Sequence, residues 1–165
     1  MNTVLQELAD RMSLTDLIHK YATGIDLRDW VLFRSIFADE LFMDFSSYSG
    51  APGSKMSADD WVAGCQRMLP GFDGTQHCLS NFVFDIRGEE ATVTAYMQAE
   101  HFIANKLGDA SHTLGGYYIH QLRRGADGWR IHATTLKVIW SRGNRHVYQL
   151  AAERVAAEAG KKGKK

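Results

Sequence analysis

Apolar side chains near the start of the chain fall at Val4, Leu5, Leu8, Met12, Leu17, Ile18 and Tyr21. That spacing is close to the period of about 3.6 that turns one side of a helix toward a core. Thr3 and Gln6 stand as in a capping box at the helix start. Gly24 weakens its end, because glycine is a poor helix former. A second, shorter helix is expected after Asp29, with Val31, Phe33, Ile36 and Phe37 as its apolar set. LFMDF at 41–45 reads as a strand. The stretch from Ser46 to Ser57 collects small turn residues and one of the two prolines, and reads as a loop. Ser57 followed by Asp60 starts a third helix through Trp61, Val62, Cys65, Met68 and Leu69. Pro70-Gly71 ends it.

After Gly74 the period changes. Residues 76–86, 90–105, 111–124 and 128–141 form four long runs rich in β-branched and aromatic residues, as strands are. Arg87-Gly88, Gly108-Asp109 and Ala126-Asp127-Gly128 supply the turns between them. His146 to Ala157 reads as a last helix, and the AGKKGKK tail as a disordered, solubilising end. Helices first and consecutive strands later define an α+β chain with helices on one face of an antiparallel sheet. Strands well above the usual five or six residues curl. The expected fold is therefore a cone-shaped curved antiparallel sheet wrapped around the N-terminal helices, with a pocket inside.

Composition narrows the function classes. A chain of 165 residues, 45% hydrophobic and 23% charged, suits one globular unit. Formal net charge is zero, which argues against a basic nucleic-acid surface. Cys65 and Cys78 make no metal-ligand spacing and no disulfide framework, and a reducing, cytoplasmic setting fits. The N-terminus has early acids and lacks the long apolar stretch of a secretory signal, and no window reaches the roughly 18 apolar residues of a membrane span. HxxH and HxxxH pairs, GxGxxG, a P-loop and a nucleophile elbow are all missing, so no metal and no cofactor is expected.

The stretch GTQHCLSN, 74–81, places His77 at the mouth of the first long strand. It reads either as a general base or as a core histidine satisfied by hydrogen bonds. Strand alternation puts Asn81 on the face of His77, and Cys78 on the opposite one, which disfavours a Cys–His pair. In QAEHF, 98–102, alternation sets Ala99 and His101 on one face, leaving room beside the imidazole. Tyr117 and Tyr118 point to opposite faces, so one looks inward; Tyr117 is taken as the substrate contact. His120 and His132 read as surface residues of the sheet.

The order of these motifs is familiar. A helix bearing YATGIDLRDW, a second ending in FAD, then GTQHCLSN, AEHF, GGYY and DGWRIH resembles the SnoaL-like branch of the nuclear-transport-factor-two-like superfamily. Scytalone dehydratase, the bile acid dehydratase and the hexachlorocyclohexane dehydrochlorinase are neighbours in that branch. The resemblance implies a cone fold, with residues 1–145 as the domain and 146–165 as a C-terminal helix and tail. It implies that His77 pairs with Asp26 near the end of the first helix. It further implies that Tyr21 and His101 join them in catalysis, and that Tyr48 contacts substrate. Many relatives carry an arginine in the last strand near Thr134; here the nearby cations are Arg130 and Lys137, either of which is a candidate replacement, and Lys137 is taken as a substrate contact.

If His77 and Asp26 meet, the carboxylate accepts from one imidazole nitrogen, fixes the tautomer and leaves the other nitrogen as a base. If they do not, Asp26 caps the helix near Asp29 and His77 is a core residue. The expected activity is a cofactor-independent lyase: proton abstraction, then elimination or aldol-type cleavage of a small cyclic or aromatic substrate. An isomerase or polyketide cyclase would use the same pair; a ligand-binding module or oxygenase small subunit would use neither. By resemblance the chain self-associates as a homotrimer or homodimer.

Overall fold

In the computed structural model, which describes residues 3–162, α1 spans Thr3–Asp26. Its buried side is Leu14, Leu17, Ile18, Tyr21 and Ile25; Leu5, Leu8 and Met12, expected on that side, are exposed. Thr3 is itself helical rather than a cap, and Gln6 reaches Asp10 instead (3.2 Å). Asp10 is buried and is held by Arg124 at 2.7 Å and by the indole N–H of Trp129 at 3.4 Å. These bonds pin α1 beside the turn between Gly125 and Gly128.

Gly24 does not end the helix. It is buried because α2, Trp30–Ser35, crosses there, and a Cβ on Gly24 would lie 2.8 Å from Phe33 Cβ. Asp29 caps α2 by accepting from the Leu32 N–H (2.9 Å), which leaves Asp26 free for another task. Strand β1 then begins at Phe37, four residues earlier than LFMDF suggests, and runs to Asp44. The expected loop contains a short helix α3, Ser46–Ser49, and an edge strand β2, Ser54–Ser57. Helix α4, Ala58–Gln66, starts where Ser57 accepts from the Asp60 N–H (3.0 Å), as its sequence indicates.

The four long strands are β3 (Gly74–Arg87), β4 (Glu90–Phe102), β5 (Ser111–Gly125) and β6 (Gly128–Gly143). With β1 and β2 they make one six-stranded sheet in the order β2-β1-β6-β5-β4-β3. All neighbours are antiparallel except β1 and β6, which run parallel, because β1 precedes the meander and joins its last strand. The sheet is curved and unclosed, and the helices fill its concave side. Bulges drive the curvature, since an extra residue in one strand bends and twists it. One falls between Ser80 and Val83 in β3; two more interrupt the β5–β6 pairing.

Helix α5, Val147–Lys162, packs against the 3₁₀ turn at Leu69–Gly71 and brings Tyr148 to the cavity. Val147 and Ala151 are fully buried, and the helix lies so close to the 3₁₀ turn at Leu69–Gly71 that only a glycine fits at position 71. The tail expected to be disordered is helical from Ala159 through Lys162; residues 163–165 lie outside the described residues. No helix among the described residues is long and apolar enough to cross a membrane.

Candidate active site

Between α1, α4, α5 and the concave side of the sheet lies a cavity of about 160 Å³. Its walls are mainly apolar, with Ile25, Phe45, Met68 and Leu136 among them. His77 and His101 supply polar atoms from neighbouring strands, with ring centroids 5.5 Å apart and nearly perpendicular.

Asp26, the last residue of α1, reaches the start of β3. Its Oδ2 accepts from the His77 backbone N–H at 2.7 Å, and its Oδ1 meets His77 Nδ1 at 2.7 Å. The Thr75 hydroxyl donates to the same Oδ1 at 2.9 Å. Burial opposes ionisation of Asp26, but the bonds from His77 and Thr75 outweigh it and hold the carboxyl below its ordinary value. A carboxylate there accepts from Nδ1–H, so the Nε2 lone pair of His77 is left bare. The His77 side chain is only 5% exposed.

Behind the pair stands Arg28, in a left-handed backbone conformation just past the helix (φ 59°). Its Nη1 donates to the Thr75 hydroxyl at 2.8 Å and to the Ile25 carbonyl at 2.5 Å. Sequence reasoning missed it; its place is visible only once the chain has turned back on Asp26.

His101 pairs across strands with His112, and both are buried. Desolvation first, then the neighbouring His77 and His112, push the His101 imidazole down to about 3, so it is neutral near pH 7. Its Nδ1 lies 3.0 Å from the hydroxyl of Tyr148, which α5 projects into the cavity wall. Tyr148 is a second residue the sequence did not single out, because a helix that looks like an appendage carries it. Trp61 and Cys65 of α4 also line the cavity, and burial raises the Cys65 thiol to about 12.

Tyr21 and Tyr118 stand together on the wall with ring centroids 5.3 Å apart, and both phenols are driven up by burial. Tyr48, on α3, lines the cavity, its ring 5.7 Å from that of Tyr148. Three expected contacts lie elsewhere. Tyr117 faces outward against Tyr96 (5.7 Å), and its neighbour Tyr118 takes the inner position. Lys137 pairs with Tyr117 on that outer face, while Leu136 points inward. Asn81 is exposed at the β3 bulge with φ 51°. The bulge switches the inward side from Leu79 to Phe82 and Phe84, so counting by twos from His77 fails there. His120, expected on the surface, is fully buried, with Nδ1 3.0 Å from the Thr134 hydroxyl.

Fold and site together define a small-cavity cone protein. The SnoaL-like domain model matches residues 6–135, and the chain belongs to that family, within the nuclear-transport-factor-two-like superfamily. Among solved structures it is similar to the Kfla4162 protein of Kribbella flavida, at 28% identity and a TM-score of 0.82, covering 87% of this chain and 99% of the other. It also superposes on a hexachlorocyclohexane dehydrochlorinase of Novosphingobium barchaimii LL02, with TM-score 0.70 and 16% identity over 87% and 95% of the two chains. Among curated proteins it is 28% identical to the terrestric acid biosynthesis cluster protein E of Penicillium crustosum, over 86% of this chain and 90% of that one.

Proposed function

We propose that the cavity is the active site of a general acid–base lyase in which His77, held by Asp26, removes a proton from a small cyclic substrate. The observation that carries this reading is the Asp26–His77 contact at 2.7 Å on the wall of an apolar chamber. Away from water, a carboxylate-held imidazole is both oriented and stabilised as the imidazolium that forms. In an elimination, His77 Nε2 takes a proton from the carbon beside the leaving group. The C–H electron pair becomes the double bond, the leaving oxygen departs with the C–O pair, and the proton on His77 Nε2 passes to that oxygen, so the substrate loses water and the imidazole is restored. His101 lies on the same wall to stabilise the departing oxygen, and Tyr21 and Tyr48 face the same space. That a fold neighbour is a hexachlorocyclohexane dehydrochlorinase is in keeping with this reading.

Size sets the substrate class. A cavity of about 150 Å³ admits one benzene ring, and this one is about 160 Å³. Among the described residues the lining includes no lysine, arginine, aspartate or glutamate, which favours a neutral, single-ring, hydroxylated aromatic or alicyclic compound.

The test is a screen of such compounds for loss of mass. His77→Ala and Asp26→Asn are expected to lower kcat by about 10²- to 10⁴-fold, the usual contribution of a positioned base. A product of unchanged mass would make the protein an isomerase or cyclase using the same base. Turnover unaffected by His77→Ala would remove the proposal altogether.

A further inference from the structure

The Tyr148 hydroxyl stands between two imidazoles, 3.0 Å from His101 Nδ1 and 3.4 Å from His112 Nδ1. It has one proton to place. Burial first, and then the adjacent Tyr48, by its charge and by a hydrogen bond between the two hydroxyls, raise its phenol well above the ordinary value, so that proton is retained; of the groups around it, the His101 imidazole nitrogen is a stronger acceptor than the Tyr48 oxygen. His101 is neutral and bears one proton on one of two nitrogens. If that proton sat on Nδ1, the imidazole would donate to a phenol oxygen. If it sits on Nε2, the phenol donates to a bare imidazole nitrogen. The second arrangement is favoured, because a phenol is the stronger acid and an imidazole lone pair the stronger base. His112 Nδ1, at the longer distance, is then free to donate to the lone pairs of the same oxygen. Phe72 packs against both rings, 5.1 Å from His101 and 5.4 Å from Tyr148, and holds them together.

We propose that Tyr148 is a positioning residue that fixes His101 as its Nε2–H tautomer. The chamber then presents a bare nitrogen on His77 beside an N–H donor on His101. Two carriers set these two states: a carboxylate at the end of α1 for His77, and a phenol on α5 for His101. Helix α5 is on this account part of the reacting arrangement and more than a cover. The role this gives His101, donor to the developing negative charge on the substrate oxygen, rests on the lyase reading; the tautomer itself does not.

Nitrogen-15 NMR of histidine-labelled protein near pH 7 reads the tautomer directly, since protonated and bare ring nitrogens resonate in separate regions. Wild type is expected to show His101 with Nε2 protonated and Nδ1 bare. Tyr148→Phe, which removes one oxygen, is expected to move His101 toward Nδ1–H or a mixture while leaving the His77 resonances in place. A wild-type His101 protonated on Nδ1 overturns the proposal even if the variant fails to fold. So does a Tyr148→Phe protein whose His101 keeps the wild-type pattern. With a substrate in hand, Tyr148→Phe is expected to lower kcat about tenfold with little change in KM. The expected tautomers in a protein with no turnover would sink the lyase reading and leave this inference standing.

Discussion

His101 and His120 are neutral for the same reason. Both are buried where a cation would lose its hydration, and both are pushed down to about 3 from an ordinary 6.5. Their consequence for stability has a definite sign. Between about 3 and 6.5 the unfolded chain binds protons that the folded chain refuses, so folding weakens as pH falls through that window. Each histidine contributes up to about 1.4 kcal/mol per pH unit there. Urea unfolding at pH 7.5 and pH 5 is expected to show a clear drop for the wild type. His120→Phe, which loses the bond to Thr134 but also the proton-binding group, is expected to show a shallower one. Equal stability of the wild type at both pH values would contradict the burial argument. The same residue shows a limit of one-dimensional reading. His120 looks like a surface residue in sequence, yet its even-numbered neighbours Tyr118 and Leu122 are core, and period two puts it with them.

Elements meet at places where a side chain is missing. Gly24 lies inside α1, where propensity alone favours alanine by about 1 kcal/mol. Packing decides the other way, because a Cβ there would sit 2.8 Å from Phe33 Cβ and 3.0 Å from its backbone. Gly24→Ala is therefore expected to destabilise the protein by about 1–3 kcal/mol, as overpacking does. It should also disturb the helix end that carries Asp26 two residues on. Thermal unfolding checks this: a raised melting temperature would mean that α2 yields easily and that propensity wins. The bulge at Ser80–Val83 works similarly. It bends β3 around the core and reverses which side faces in, so Asn81 leaves the chamber and Phe82 enters the core, its ring 5.4 Å from His19. Nothing in NFVF announces a bulge, whereas Ser57 and Asp60 announce the start of α4 plainly, since a cap is a local bond.

The outer face of the sheet concerns the molecule as a whole. Tyr96 and Phe102 on β4 and Trp140 on β6 lie there, exposed by 45%, 43% and 44%. Large aromatic side chains in a group on one face favour burial against another chain. We propose self-association through this face as a homodimer or homotrimer. Sedimentation is expected to give an assembly of two or three chains, and Trp140→Glu to shift it toward the monomer. A wild type that sediments as a monomer at tens of micromolar would dispose of the proposal. The concave face works in the opposite sense. It is closed by helices from both ends of the chain, so the cavity exists only in the complete fold.

The four long strands, the capped start of α4 and the helix-then-meander plan were legible along the chain, because propensity, capping and period are local properties, whereas α3 and β2 were hidden in what reads as a loop. The sequence also carried the His77–Asp26 pairing through family resemblance, and the shared side of Ala99 and His101 through simple alternation. Tertiary structure alone decided which of Tyr117 and Tyr118 looks inward, where Lys137 and Asn81 go, and that Arg28 and Tyr148 stand behind the two chamber histidines. Those outcomes depend on bulges, on a parallel β1–β6 pairing and on a terminal helix folding back across the sheet. Each couples residues far apart in sequence, where no local period reaches.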